Sequence, residues 1–532
     1  MRRSATLTTA VAALIFCGLL AGVAAGESAS GGHDLTAGQY TIDTMSDQPP
    51  QTRPTINVTT EYRLTPTRPG SVAVRWRFEI PDAVGTINTS LVAGADNARA
   101  SGFERTASGY RWDEDEQSTR TPTLSFTVSV NRTREVTGPV DAGGRYSFVD
   151  AGSWALIQRQ MPQGIGYNYQ STSPEPTVER RGETAGPGVV GSAMVFLGEH
   201  DTVERSAHGQ RFELVVPDAA TLSEQRSAIF ASVTAASDRL RVGDRDERVL
   251  MIAAPETVPW AIRGLQTGDS DFYVIADETV DSADNVWLHE YVHTRQEFRT
   301  SERSEWVVEA SAEYYAALLT LEQERIDFDS FRAHLERGTN RRFTDVRLVE
   351  PGSWRDNGGN YLKGALVAGE LDRRLRAATD SERSLQRVFE WMNRQRSISH
   401  SEFVDVVARA GGTETGAVAQ RYTETTDSPT PWSRQRHEQV FGDTPAGFSY
   451  RFPAVDSGQF RVSGPYGERS YSGGLVESEA LTVPVEITNV GDRAGAYDLR
   501  FSNNGEIVAT RSGRLDAGAS TSQSVTVAFE RL

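Results

Sequence analysis

The hydrophobic periodicity of this chain changes twice along its length, and these changes limit the folds that it can adopt. Apolar and polar residues alternate over 72–80 and 124–130, helical and mixed spacing begins near residue 210, and alternation returns over 481–487. Period-two alternation predicts antiparallel strands with one buried and one solvated face, whereas a period near 3.6 predicts amphipathic helices. The sequence therefore predicts several domains, with the helices confined to the middle of the chain.

Three folded parts follow from these changes. We predict an N-terminal antiparallel β domain over 53–205, an α+β domain with a mainly helical C-terminal half over 210–425, and an Ig-like β-sandwich over 446–532. A chain of 532 residues is long enough for about three domains, each with its own core. Within the last part, Asn504-Gly505 is typical of a tight hairpin turn.

Local signals place the elements of the central domain. Apolar runs at Val249–Ile252 and Phe272–Ile275 predict strands. Ser399 and Glu402 are spaced as a capping box, while Gly411-Gly412 predicts a helix end. The predicted helices span Leu222–Leu240, Asp284–Phe298 with Asp284 as its cap, Ser304–Leu321 with Ser304 as its cap, Leu362–Arg376, Leu385–Asn393 and Glu402–Ala410.

The first 25 residues are typical of a secretory signal peptide. Arg2 and Arg3 precede an apolar core over 10–23, and small residues lie where cleavage would occur. The alternative is an uncleaved anchor helix, although the apolar run is short for a membrane span. Residues 26–52 are rich in Gly, Ser, Asp, Gln and Pro and predict a flexible linker. We therefore expect a secreted or cell-surface protein whose mature chain has no membrane span.

The charge balance excludes one class of partner and suggests an environment. The chain has 72 acidic and 55 basic residues, a net charge of −17, and Lys363 is its only lysine. A nucleic-acid-binding surface needs clustered basic residues, so nucleic acid is not an expected partner. Strong acidity with almost no lysine is typical of halophilic proteins, because salt screens self-repulsion. Cys17 lies inside the predicted signal, so the mature chain has no disulfide, and the sequons for N-glycosylation are at Asn57, Asn88 and Asn131.

Residues 286–293 read Val-Trp-Leu-His-Glu-Tyr-Val-His and contain the pattern His-Glu-x-x-His. On an α-helix, His289 and His293 lie one turn apart on the same face, so both rings can reach one Zn²⁺. Glu290 would then act as general base on the water that the zinc activates. With eight histidines in the chain, the pattern arises by chance in roughly one such sequence in a hundred. The motif therefore predicts metal-assisted hydrolysis.

The predicted helix after this motif offers further carboxylates. Catalytic zinc sites usually have three protein ligands and keep a fourth position for water, so two histidines are not enough. The polar connection around 300–303 is short, which favours antiparallel packing of the two helices. Glu309 is our candidate for the third ligand. Glu313, one turn later, can accept the outer N–H of a ligating histidine and fix its tautomer.

These residues form a pattern that resembles the gluzincin zinc metallopeptidases. His-Glu-x-x-His followed by Trp-x-x-Glu-Ala, and later Tyr-x-Lys-Gly beginning at Tyr361, is similar to the glycyl aminopeptidase and aminopeptidase N branches. The resemblance covers about 210–425 and implies a thermolysin-like catalytic domain with one zinc per chain. The residues that it implies are the zinc ligands His289, His293 and Glu309, the general base Glu290, and Tyr361 as the donor to the oxyanion.

The sequence departs from the family pattern in two places. Glu309 follows His293 by fewer positions than in aminopeptidase N, and Glu313 lies at a separation closer to that pattern, although the Trp-x-x-Glu context favours Glu309. The segment Phe272–Asn285 lacks the Gly-x-Met-Glu-Asn pattern that holds a substrate's free amine in aminopeptidases. The choice between endopeptidase and aminopeptidase is therefore open. An endopeptidase needs an edge strand for an extended substrate, and Phe272–Ile275 is our candidate.

We predict an exported zinc metallopeptidase that hydrolyses peptide bonds in peptide or protein substrates. The alternative is a non-catalytic cell-surface protein, in which a peptidase-like domain serves binding or scaffolding. In either case the C-terminal β-sandwich would make the contact with the cell surface. The remaining histidines are expected at the surface, in caps or in a linker: His33, His200, His208, His334, His400 and His437.

Overall fold

The structure, a computed structural model, describes residues 53–162, 164–171, 173–452, 460–465, 467–471, 478–503 and 506–528. The predicted signal peptide (1–25), the predicted linker (26–52) and the predicted turn at Asn504-Gly505 lie outside these residues. No helix in the described ranges is both long and apolar enough to cross a membrane.

The N-terminal part is a β-rich domain, as its alternation predicts. Strand β2 buries Val72, Val74, Trp76 and Phe78 on one face. The strands are β1 (Thr55–Leu64), β2 (Ser71–Glu79), β3 (Val84–Thr89), β4 (Ala95–Ser101), β5 (Glu104–Thr106), β6 (Gly109–Asp113), β7 (Thr123–Ser129), β8 (Arg132–Thr133), β9 (Tyr146–Asp150), β10 (Ala155–Gln158), β11 (Ile165–Tyr169), β12 (Thr177–Thr184), β13 (Gly188–Val190) and β14 (Met194–Leu197).

These strands form three sheets, with the orders β12-β1-β2-β7-β4, β11-β3-β6-β5 and β13-β14-β10-β9-β8. Their pairs are antiparallel except for β1 and β12, which run parallel. The connection between β8 and β9 leaves this domain and reaches the helical part. There the hydroxyl of Thr137 donates to the carbonyl of Arg355 at 2.6 Å.

The central part begins with a mixed sheet of order β15-β16-β17-β19-β18. Its outer strand β18 lies beside the helix that carries His289 and His293. The strand Phe272–Ile275 lies between two others, so our prediction that it is the edge strand is wrong. The elements are β15 (His200–Ala207), β16 (Gln210–Pro217), α1 (Arg226–Arg239), β17 (Arg248–Ala254), β18 (Gly264–Thr267), β19 (Asp271–Ile275), α2 (Val286–His293) and α3 (Trp306–Glu322).

The rest of the central part is helical. Helix α3 packs against both α2 and α5, and most of its side chains are buried. The predicted helix Leu385–Asn393 and the capping box of Ser399 and Glu402 are confirmed. The predicted stop at Gly411-Gly412 is confirmed, because Gly412 has a non-helical backbone with a φ of 88°, and two helical segments of α7 meet at this kink. The elements are α4 (Phe328–Glu336), α5 (Gly359–Ala378), α6 (Leu385–Asn393), α7 (His400–Glu424) and α8 (Arg434–Phe441).

Two helix caps differ from the prediction. Asn285 caps α2, since its Oδ1 accepts the backbone N–H of Leu288 at 3.2 Å, whereas Asp284 faces Arg337. Ser304 lies in a 3-10 turn before α3 and donates to the carbonyl of Ile398 at 2.6 Å. Helix α2 also ends at His293, several residues earlier than predicted.

In the described residues of the C-terminal part, from 448 to 528, the regular elements are all strands. They form one sheet around β23 and a separate hairpin of β24 and β25, and the Ig-like sandwich stays a prediction. The strands are β20 (Phe448–Arg451), β21 (Arg461–Gly464), β22 (Gly467–Ser470), β23 (Ala480–Asn489), β24 (Gly495–Asn503), β25 (Glu506–Leu515) and β26 (Ser520–Ala528).

Candidate active site

Helix α2 is fixed to its surroundings by its N-cap residue, Asn285. The Nδ2 of Asn285 donates to the carbonyl of Val280 at 3.0 Å and to Oγ1 of Thr320 on α3 at 3.2 Å. A carboxylate cannot donate, so asparagine rather than the neighbouring aspartate satisfies this buried position. The start of α2 is therefore tied to α3, which fixes the relative placement of the side chains on the two helices.

The structure brings His289, His293 and Glu309 together at one point. The Nε2 atoms of the two histidines are 3.1 Å apart, and Oε2 of Glu309 lies 3.3 Å from the first and 3.2 Å from the second. Ligands at the usual bond lengths of about 2.0–2.1 Å around a tetrahedral zinc are separated by about 3.3 Å. Two imidazole nitrogens and a carboxylate oxygen at this spacing fit a zinc ion.

The three groups differ in their exposure. The side chain of His289 is 4% exposed, whereas those of His293 and Glu309 are 12% and 24% exposed. The site is therefore closed behind His289 and open on the side of Glu309. A substrate can therefore approach the three groups from the side of Glu309.

The electrostatics of the three groups are strongly coupled. Burial lowers the pKa of His289, but its contacts with Glu309 and Glu313 raise that pKa above the ordinary value. Burial raises the pKa of Glu309, but the two histidines hold it well below its usual range. A metal ion in this place would displace the histidine protons, because only the neutral ring has a free electron pair.

Glu290 lies on the same helix and is 3% exposed. Burial raises its pKa, although the charges of His289 and His293 lower it. Strand β18 approaches this side chain closely at Gly264, where an added Cβ would lie 2.6 Å from Oε1 of Glu290. A buried carboxylate with a raised pKa is suited to accept and return a proton near neutral pH.

Tyr361 comes to the site from helix α5. Its ring is nearly parallel to that of His289, with centroids 6.0 Å apart. Burial and the neighbouring carboxylate of Glu309 raise the pKa of Tyr361, so its hydroxyl stays protonated and can donate. The N-terminal domain reaches this tyrosine through Gly138, whose added Cβ would lie 3.2 Å from the ring. The structure thus places the predicted donor beside the three converging groups.

The outer nitrogen of each histidine also faces a polar group. Nδ1 of His289 lies 3.1 Å from Oε2 of Glu313, the residue predicted for that role. Nδ1 of His293 lies 2.9 Å from Oε1 of Gln296, whose Nε2 donates to the carbonyl of Val308 at 2.8 Å. Such partners fix the tautomer and orientation of a ligating histidine.

The sequence prediction missed Gln296 because the predicted helix extended beyond it. Helix α2 ends at His293, and Gln296 lies in the turn that follows. Its position in the sequence could have indicated this role. The amide of a residue three positions after a histidine can accept from the histidine ring when the chain turns there. The prediction that His334, His400 and His437 lie at the surface or in a linker is wrong, because each is 4% exposed.

Solved structures similar to this one include an aminopeptidase N family protein from Idiomarina loihiensis. Its identity is 12% and its TM-score 0.49, over 88% of this chain and 98% of that chain. The M1 zinc metallopeptidase from Deinococcus radiodurans has an identity of 15% and a TM-score of 0.44, over 71% of this chain and 95% of that chain. A mutant of that enzyme bound to Tyr-Ser-Ala has an identity of 14% and a TM-score of 0.44, over 71% of this chain and 96% of that chain.

No family model and no curated protein matches the sequence. The solved structures named above come from the family that the motifs resemble. At 12 to 15% identity they assign no activity to this chain.

Proposed function

We propose that this protein is an exported zinc metallopeptidase that hydrolyses peptide bonds. The observation that supports this most directly is the convergence of His289, His293 and Glu309 at the ligand spacing of zinc, with Glu290 and Tyr361 beside them. A peptidase-like domain that had lost its catalytic role would not be expected to keep all five groups together. The proposal includes one zinc per chain and peptides or proteins as substrates.

The chain's own residues divide the work of hydrolysis. A bound zinc would supply a Lewis acid that lowers the pKa of water and polarises a carbonyl. Glu290 takes the proton from the attacking water and delivers it to the leaving amine. The hydroxyl of Tyr361 donates to the oxygen of the scissile carbonyl as negative charge develops there.

Strand β18 is our candidate for binding the substrate backbone. It is one of the two outer strands of the sheet, pairs only on the β19 side among the described strands, and lies against α2 next to Glu290. An extended peptide can add to such an edge through main-chain hydrogen bonds. The strand reads Gly264-Leu-Gln-Thr267 and has no carboxylate to hold a free amine, which favours cleavage within a peptide.

Two further parts of the proposal concern location. We propose that residues 1–25 direct export and that the C-terminal strands contact the cell surface. The acidic surface suits a halophilic protein, because high salt screens the repulsion between its charges. Export would also expose the sequons at Asn57, Asn88 and Asn131 to N-glycosylation.

The decisive experiment combines metal analysis with one substitution. Purified protein should contain about one zinc per chain, and Glu290→Gln should keep the zinc but lose proteolysis. The matched control is Glu322→Gln at the end of α3, where the carboxylate pairs with Arg239 at 3.0 Å. Absence of both zinc and activity from the wild-type chain would favour the non-catalytic binding or scaffolding alternative. Digestion of free and N-terminally blocked peptides would separate endopeptidase from aminopeptidase activity.

A further inference from the structure

A line of polar contacts leads from His289 away from the open side of the site. Oε2 of Glu313 lies 3.1 Å from Nδ1 of His289, and its Oε1 lies 3.3 Å from Nε2 of His334 on α4. Nδ1 of His334 lies 3.3 Å from Oδ1 of Asp284, just before α2. Arg337 closes the line, since its Nη1 donates to both oxygens of Asp284 at 2.6 and 2.8 Å.

The inner part of this line is buried. Glu313 and His334 are each 4% exposed, whereas the side chain of Arg337 is 39% exposed. Nδ1 of His289, Oε1 of Glu313 and Nε2 of His334 have no well-aligned hydrogen bond in the described structure. Their close contacts with one another therefore offset the loss of hydration of these atoms. A buried polar atom without a partner lowers the free energy of unfolding by about 1–3 kcal/mol.

This cluster is not arranged as a second metal site. Asp284, Glu313 and His334 are close enough together to be considered as ligands. However, the ring of His334 presents Nδ1 to one carboxylate and Nε2 to the other, so it lies between them. Both oxygens of Asp284 also accept from Arg337. The arrangement is a chain of contacts in series, with its inner end on His289.

The direction of the contact between His334 and Glu313 does not depend on the charge of the ring. Nδ1 of His334 lies 3.3 Å from Asp284 and 3.4 Å from Nη1 of Arg337. If Nδ1 accepts from the arginine, the single ring proton is on Nε2. If the ring is protonated on both nitrogens, Nε2 again carries a proton. A neutral ring with its proton on Nδ1 would instead turn the electron pair of Nε2 toward the carboxylate of Glu313, which is repulsive, so the contact requires an N–H on Nε2.

We propose that His334 is a positioning residue for the zinc site and acts on His289 through Glu313. This inference rests on the proposed function, because it concerns the same metal. His334 holds one oxygen of Glu313, which leaves the other to accept Nδ1–H of His289. The proton of His289 is thereby kept on Nδ1. The electron pair of its Nε2 is then directed at the point where His293 and Glu309 converge.

The test is the zinc affinity of the full chain, measured by competition with a chromogenic chelator. Loss of an outer partner of a ligating histidine typically costs 10- to 100-fold in metal affinity. His334→Phe, which keeps a ring but no N–H, should weaken zinc binding about tenfold. His334→Gln, whose amide can still donate to Glu313, should lose less. The control His437→Phe removes an equally buried histidine from α8 and should bind zinc as the wild type does.

A double-mutant cycle separates positioning from a general loss of stability. If His334 acts through Glu313, His334→Phe should have almost no further effect in a Glu313→Gln background. Additive losses would overturn the proposal, as would a His334→Phe variant that binds zinc as tightly as the wild type. Cobalt(II) absorption spectra of the folded variants, with folding checked by circular dichroism, give a second readout. Spectra identical to the wild type would also count against it. A wild-type chain that binds no zinc would instead contradict the proposed function itself.

Discussion

The Nε2 atoms of His289 and His293 lie 3.1 Å apart and face each other. Two protonated nitrogens cannot occupy this arrangement, because each would direct its hydrogen at the other. The carboxylate of Glu309 lies within 3.3 Å of both atoms and balances the charge of the one ring that is protonated there. The site therefore has a proton or a metal ion at its centre, and the two compete.

This competition predicts that zinc binding depends on pH. The carboxylates raise the pKa of both His289 and His293, so the metal-free site favours a proton between the two facing nitrogens. Zinc binding must release this proton, and zinc affinity should rise as the pH increases from 6 to 8. Isothermal titration calorimetry in buffers of different ionisation enthalpy measures the released protons directly. A proton count of zero across this range would contradict the coupling.

Tyr361→Phe should leave a folded, zinc-loaded protein that cleaves slowly. The hydroxyl is the only part of Tyr361 that the proposed chemistry uses, and loss of one oxyanion donor typically lowers the rate ~10²–10³-fold. The measurement is kcat for a peptide substrate together with zinc content. Tyr315→Phe is the matched control, because that buried hydroxyl has no hydrogen-bond partner in the described structure. An unchanged kcat for Tyr361→Phe would remove this residue from the mechanism.

The parts of the site that the sequence predicts are those set by local spacing. His289, Glu290 and His293 are separated by fixed positions on one helix, so helical geometry alone places them together. The prediction of Glu309 and Glu313 needed one further assumption, that the next helix folds back against the first. Tyr361 followed from the resemblance and not from spacing, since α5 packs against α3 through contacts between distant parts of the chain.

The parts that the sequence did not predict depend on tertiary contacts. His334 is isolated in the sequence, and its partners Asp284 and Glu313 come from two other segments of the chain. The edge-strand prediction for Phe272–Ile275 is wrong, because β18 pairs with its outer side. An apolar run indicates burial on both faces, which is typical of an inner strand.

Gln296 should matter for metal binding although it is not a ligand. Its Oε1 lies 2.9 Å from Nδ1 of His293, and its amide is oriented by the carbonyl of Val308 and by Oγ of Ser311. Gln296→Ala removes this partner, and we expect zinc affinity to fall 10- to 100-fold. Chelator competition measures the loss. The control Gln395→Ala removes a glutamine whose amide donates to the carbonyl of Trp391, so a similar loss there would contradict a specific role.

Gly264→Ala should reduce activity without removing the metal. An added Cβ would lie 2.6 Å from Oε1 of Glu290 and 2.6 Å from Cγ1 of Val286, so the carboxylate must move. A displacement of about 1 Å of a catalytic group can cost about 10²-fold in rate. We expect kcat to fall by this order with zinc content unchanged. Gly186→Ala, where an added Cβ meets nothing within 4 Å, is the control. Equal activity of the two variants would show that Glu290 tolerates the shift.

His437 should make the stability of the protein depend on acid pH. The ring is buried against Phe441, with centroids 4.5 Å apart, and its Nδ1 accepts from Nε1 of Trp432 at 3.2 Å. Burial, together with the charges of Arg376 and Arg434, lowers the pKa of His437 to about 4. The folded state therefore binds this proton more weakly than the unfolded state does. The stabilisation is complete above pH 6.5, the ordinary value, and is lost as the pH falls from there to about 4.

The size of this effect follows from the shift in pKa. One pKa unit corresponds to about 1.4 kcal/mol, so the loss between pH 6.5 and 4 is roughly 3 kcal/mol. His437→Phe keeps the aromatic stacking and cannot be protonated. Its free energy of unfolding, from urea titrations between pH 7 and 4, should fall less steeply than that of the wild type. If the difference between the two proteins is the same at every pH, the protonation of His437 does not contribute to acid unfolding.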